Sequence, residues 1–291
     1  DLFGELGSPL FAGLILAEGQ LALKQVALHL AGRLPTEDEG QLVQQFGEVG
    51  FELVLNRMVR SAGFYERMRE LWNDLLLTDK YLNRNPLSIF DYPDMNWYSS
   101  PAHWESALTP EMQQLGYQYT VSSVAREPIE HIIYLLKHDR PFTEIISADY
   151  IAMNPYTARF YGVDDIDFDD PWDPEEYRAG RVPRIPHAGI LTSPIFLSRY
   201  PTSTTNRNRH RARTFLKIFL DYDIFGAANS NVDTRDLAHN PTMNDPQCLV
   251  CHEIMDPIAG AFQNWNETGG YVPPIAWHQN MRAPGFGARV V

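Results

Sequence analysis

From residue 19 to about residue 78 the apolar positions keep a helical rhythm. Leu21, Leu23, Val26, Leu28 and Leu30 recur close to the 3.6-residue period until Gly32-Arg33-Leu34-Pro35 breaks it. Thr36-Glu37-Asp38-Glu39 then reads as a capping box, with Thr36 as the N-cap, Glu39 at the third helical position and acids in the first turn. Further helices are predicted over residues 51–61 and 64–77. Residues 79–104, rich in Asn, Pro, Tyr, Trp and Ser, interrupt the pattern for long enough to mark a functional loop or a boundary. Helix resumes over 110–115 behind Thr109 as a cap, then over 121–138 and, after Pro141-Phe142, over 143–153. Asn154-Pro155 stops it, and one more turn follows over 156–161. The acidic, Pro-rich stretch 164–186 lacks periodicity and is predicted to be a linker or surface loop. A basic tract, Arg207-Asn208-Arg209-His210-Arg211-Ala212-Arg213, leads into an apolar helix over 214–220. Strand signals are few, there is no internal repeat, and the class is mainly α. The breaks divide the chain into an N-terminal helical domain (1–105), a second helical segment with the acidic linker (106–185) and a C-terminal module (186–291).

Composition narrows the function classes. With 291 residues and 44% hydrophobic positions the chain can bury a core without staples. Its formal charge of −13 excludes general nucleic-acid binding, which would have to overcome repulsion from the phosphates. The best apolar run, residues 10–16, is too short to span a bilayer, so no transmembrane segment is expected. The first residue is Asp rather than Met, and the expectation is a chain whose export signal has been removed from view.

The two cysteines stand three apart and are followed at once by histidine: Cys248-Leu249-Val250-Cys251-His252. Two thiols one helical turn apart can each add to a vinyl group of haem, and the next residue then sets an imidazole beneath the iron. A zinc site would need further Cys or His donors, and there is no third cysteine. A thioredoxin-like pair would sit in a βαβ unit, which the flanking Asn, Pro and Asp do not suggest. The segment therefore predicts one covalent haem c held by Cys248 and Cys251, with His252 as the proximal ligand. Because such thioethers are made on the exported side of bacterial membranes, it also predicts a periplasmic or cell-surface protein.

The sixth position separates an electron carrier from a reactive haem. Met255, three residues beyond His252 on the same helix, lies on the proximal side and is excluded. Met281, in a loop closed by Pro284-Gly285, is the first choice as the second iron ligand; Met243, His239 and His278 are the alternatives, together with an open site. One or two arginines of the 207–213 tract are candidates for pairing the haem propionates, the alternative being a basic helix start that pairs with surface carboxylates. Asp256-Pro257 is expected to end the haem helix, because proline disfavours the α conformation in the residue before it. The clustered acids of 164–170 do not have the spacing of an EF-hand. His29, His103, His131, His138, His187 and His210 show no ligand spacing, and no Ser-nucleophile, phosphate-loop or His-Glu-x-x-His motif occurs.

Four stretches together resemble a family, the planctomycete and myxobacterial type multidomain cytochrome c-like proteins, in which uncharacterised helical domains precede a haem-attachment module. They are Leu28 to Thr36 with Phe64-Tyr65-Glu66-Arg67-Met68 and Leu71-Trp72-Asn73-Asp74-Leu75; Asp139 to Ile145 continuing to Tyr161-Gly162; His187 to Thr192 with the later arginines; and Cys248 to Pro257 with Ala261-Phe262-Gln263-Asn264-Trp265. The chain departs from the common form at Ile258-Ala259-Gly260, where Ile/Leu-Gly-Phe is more usual, and at Asn266, where Asp is frequent. The resemblance implies an exported helical scaffold with a C-terminal cytochrome c-like haem module, acting in redox work at the cell envelope. The expected function is a monohaem c-type cytochrome that carries electrons between redox protein partners, one of them basic enough to be steered by the acidic charge. Its rivals are a haem enzyme of peroxidase or oxidase type with an open distal site, and a haem-bearing subunit of a larger electron-transfer complex.

Overall fold

The computed structural model describes residues 19–78, 109–183, 185–203, 205–227, 241–267 and 269–271. The chain divides into two compact units, residues 1–72 and 73–291. It is mainly α, as the pattern predicts.

In the first unit α1 (Gly19–Ala31) packs on α2 (Glu37–Met58), and α3 (Ala62–Leu76) follows. Leu23 and Ala27 of α1 meet Val43, Val54 and Met58 of α2 in a small core. The capping box forms: the Glu39 amide donates to Thr36 Oγ1 (3.2 Å) and the Thr36 amide donates to Glu39 Oε2 (2.8 Å). Arg33 grips the same carboxylate with two N–H groups at 2.8 and 2.6 Å and holds its pKa below the ordinary value. The helix predicted over 51–61 forms as the second half of α2, set off from the first half by Gly47, whose φ of 56° and ψ of −127° lie outside the helical region and put a kink between the two helical halves. Only glycine enters that region without steric cost, so a break in propensity becomes a bend.

The second unit is built on α4 (Pro110–Lys137), against which α5 (Glu144–Ser147), β1 (Ile151–Met153), α6 (Pro155–Tyr161) and, further on, α7 (Pro194–Arg199) pack. The helices predicted over 110–115 and 121–138 are one: burial of Gly116, Thr120, Ser123 and Val124 carries it through the polar middle, and it continues past Pro128. The predicted helix over 143–153 is replaced by α5 and β1. Tertiary hydrogen bonds take the backbone instead: the Gly189 amide donates to Ala148 O (2.8 Å), that of Ile190 to Ile145 O (2.8 Å), and that of Ala152 to His131 Nδ1 (3.2 Å). β1 pairs antiparallel with β2 (Arg178–Gly180), Ile151 opposite Gly180. The acidic segment is thus tied down: Glu176 accepts the amides of Asp169 and Asp170, and Asn154 Nδ2, beside the α6 cap it also forms, donates to Pro174 O at 2.8 Å.

Beyond α7 come α8 (Arg209–Phe219), α9 (Ile224–Ala227), α10 (Pro241–Asn244) and α11 (Pro246–Ala261). α11 packs on α8, α9 and α10. Among the described residues no helix is long and apolar enough to cross a membrane.

Candidate functional site

α11 carries all three residues of the Cys248-x-x-Cys251-His252 segment. Asp245 caps it by accepting the Gln247 amide at 2.8 Å, and Pro246 occupies the first helical position, where its missing N–H costs nothing. On a helix Cys248, His252, Met255 and Ala259 fall at spacings of 4, 7 and 11 residues and so share one face. Toward the C-terminal end that face is core: Met255 and Ala259 are buried with Ala212 and Leu216 of α8 and Ile224 of α9. Met255 is thus a packing residue of this core.

The two thiols are free and half-buried. Cys251 packs at the edge of the same core and its Sγ lies 3.5 Å from Ile224 O, in the donor position. Partial burial, with Asp245 and Cys251 nearby, pushes the Cys248 thiol above its usual value, so it rests protonated rather than as a thiolate.

His252 is oriented from within its own helix. Its Nδ1 stands 3.0 Å from Asp256 Oδ1, one turn on. Asp256 is 7% exposed and is clamped from α8 by Arg209, whose Nε donates to Oδ1 (2.7 Å) and Nη2 to Oδ2 (3.0 Å). Burial works to raise the Asp256 carboxyl, but His252 and Arg209 outweigh it and hold it below its ordinary value. An ionised Asp256 can only accept, so Nδ1 is the protonated nitrogen and Nε2 keeps its lone pair for a metal.

The basic tract divides into separate tasks. Arg211 is fully buried and spends five donor contacts on Tyr200 O, Asn208 Oδ1, Trp265 O, Leu197 O and Asn266 O, tying α8 to α7 and to the turn after α11. Burial lowers its pKa to about 9, still high enough to keep the guanidinium charged at neutral pH. Arg213 lies over the Phe225 ring at 4.2 Å and 3.8 Å from Asp223. Arg211 and Arg209 thus both make their hydrogen bonds within the protein, Arg211 to five acceptors and Arg209 to Asp256.

The expected end of the haem helix at Asp256-Pro257 is a correction. α11 runs on through Pro257 to Ala261. The step is held in helix by what surrounds it: Asp256 is anchored by Arg209, and Met255, Ala259 and Gly260 are buried on either side of the proline. Sequence reasoning assigned Asp256 only the role of ending the helix and offered Arg209, within the 207–213 tract, only as a propionate partner or a helix-start cation; neither was expected to orient His252. The available signal was a carboxylate four residues after the histidine, the spacing that faces its ring on a helix.

Cys248, Cys251 and His252 are thus brought together. Met281, His239 and His278 lie outside the described residues, and Met243 belongs to α10 with its side chain outside what is described. Among the described residues no three His, Cys, Asp or Glu side chains are placed to hold a metal ion by themselves. The donor chemistry fits haem c: two unpaired thiols a helical turn apart, and one imidazole whose second nitrogen is already fixed by a carboxylate. Comparison of the chain with protein-family models, with curated proteins and with solved structures finds no match.

Proposed function

We propose that this protein is a monohaem c-type cytochrome that passes single electrons between redox partners of the bacterial cell envelope. The observation that carries the reading is the Cys248-Cys251-His252 set on one α-helix, with both thiols free and the imidazole pre-oriented by Asp256. Cys248 and Cys251 would hold the haem as two thioethers, each S–H adding across one vinyl group with no other product, and His252 Nε2 would ligate its iron. Bound haem would supply a one-electron couple for transfer between partners. The surrounding chain fixes the ring of His252, keeps the proximal face packed through Met255 and Ala259, and presents a net charge of −13 that steers a basic partner. Met281 is the proposed sixth ligand, on the sequence grounds given above, and export to the periplasm or cell surface follows from the thioether chemistry.

The test is chemical. Protein produced in a host with c-type maturation is denatured and measured by pyridine haemochrome and by mass. One haem retained per chain, lost when Cys248 and Cys251 are both replaced by Ser, supports the reading; a chain with no bound chromophore overturns it. Immediate binding of carbon monoxide by the native reduced protein would assign the open-site haem enzyme in place of the carrier.

A further inference from the structure

We infer that Asp256 and Arg209 form a charge-balanced proximal device that sets the electron-donating strength of His252 and with it the reduction potential of the haem; the inference rests on the cytochrome reading above. Three features of the site point the same way. The His252 partner is a carboxylate at 3.0 Å, an ionic acceptor where a neutral backbone carbonyl would satisfy the same N–H. Asp256 is nearly excluded from water, so its charge acts at close range through poorly screened surroundings. Arg209 meets that carboxylate with two parallel hydrogen bonds from another helix, its own side chain only 15% exposed.

The chemistry gives each residue a sign. A carboxylate accepting Nδ1–H draws that proton toward itself and enriches the imidazole in negative charge, which makes Nε2 the stronger donor and favours ferric over ferrous iron. Arg209 opposes this by neutralising the carboxylate, so the wild-type pair sits between a bare carboxylate and a neutral acceptor. Asp256 and Arg209 are positioning residues here: both act on the metal through His252.

The two partners therefore have opposite effects, which a purely structural pair would not. Asp256→Asn keeps size and an acceptor oxygen but removes the charge, and the midpoint potential of the holoprotein is expected to rise. Arg209→Gln leaves the carboxylate uncompensated, and the potential is expected to fall. Outer-shell partners of metal-bound histidines are typically worth 10–100-fold; a shift at the lower end, on the order of tenfold in the ferric-to-ferrous ratio, corresponds to about 59 mV for one electron. Asp256→Glu, which retains the carboxylate, should stay nearer to wild type than Asp256→Asn.

Potentials are read by equilibrium redox titration of each holoprotein, with covalent haem quantified on the same samples. Shifts of opposite sign support the proposal. Unchanged potentials, or shifts of the same sign, with haem present in full overturn it while leaving the cytochrome reading intact. Absence of haem from the wild type overturns both. If Asp256→Asn does not accumulate as folded protein, the pair Arg209→Gln and Asp256→Glu decides: a fall for the first and near-wild-type behaviour for the second supports the device, and any other result removes it.

Discussion

Glu127 offers a measurement of what burial does inside the second unit. It lies on α4, is 1% exposed, and accepts a short hydrogen bond from the Tyr161 hydroxyl at Oε2, while Oε1 has no hydrogen-bond partner. Burial raises its pKa from the ordinary 4.5 to about 7, against the opposing pull of the Tyr161 hydroxyl. Because the folded value is raised, the folded state binds the proton more tightly than the unfolded chain between these two values. The contribution to stability is thus fully present below pH 4.5 and lost as pH rises through 7. At 1.36 kcal/mol per unit the loss amounts to about 3 kcal/mol. Glu127→Gln keeps the shape and the acceptor for Tyr161 and cannot ionise, so this part of the pH dependence should vanish. Urea denaturation of both proteins at pH 4.5 and 8 measures it. His131 and His187, lowered by burial to about 4, carry the opposite slope, their contribution present above 6.5 and lost as pH falls through 4; it is common to both proteins and cancels in the comparison. Parallel pH profiles for wild type and variant would refute the assignment of Glu127 as a buried neutral acid.

The remaining predictions concern the site and its supports. Met281→Ala should abolish the weak far-red sulfur-to-iron band of the oxidised protein while leaving covalent haem in place; a band that persists removes Met281 as ligand. Gly189→Ala should cost several kcal/mol, because φ is +51° and a Cβ would stand 2.0 Å from Ile145 O, displacing the turn that carries the Ile190 amide to that same carbonyl; thermal denaturation checks it. Arg211→Met leaves Tyr200 O, Leu197 O, Trp265 O and Asn266 O without that donor and should destabilise the second unit by several kcal/mol, at about 1–3 kcal/mol for a buried acceptor left unsatisfied. A denaturation midpoint close to wild type would show that these carbonyls find other partners.

The elements legible in the sequence are those decided within a few residues of themselves. Thr36 with Glu39 and Thr109 before Pro110 each cap a helix by a bond the local spelling specifies, and both form; Asn154, read only as a stop, turns out to cap α6 as well. That Cys248, Cys251 and His252 share one helix was legible for the same reason, since Asp245 and Pro246 mark its start locally. Elements settled from a distance were not legible. Residues 148–153 carry helical spacing, yet their backbone is claimed by Gly189 and His131, which lie far along the chain. Gly47 and Pro128 look like breaks, but the buried faces on either side make one a kink and leave the other inside a continuous helix. Asp256-Pro257 shows the same contest at the site itself. Local sterics argue for a helix end, and an arginine 47 residues earlier argues against it by fixing the aspartate in place. Had the local preference won, the chain would leave the helix at the residue whose carboxylate holds the His252 ring. The tertiary contact that defeats the proline is thus the same one that orients the His252 ring, and it lies too far along the chain for the local sequence to announce it.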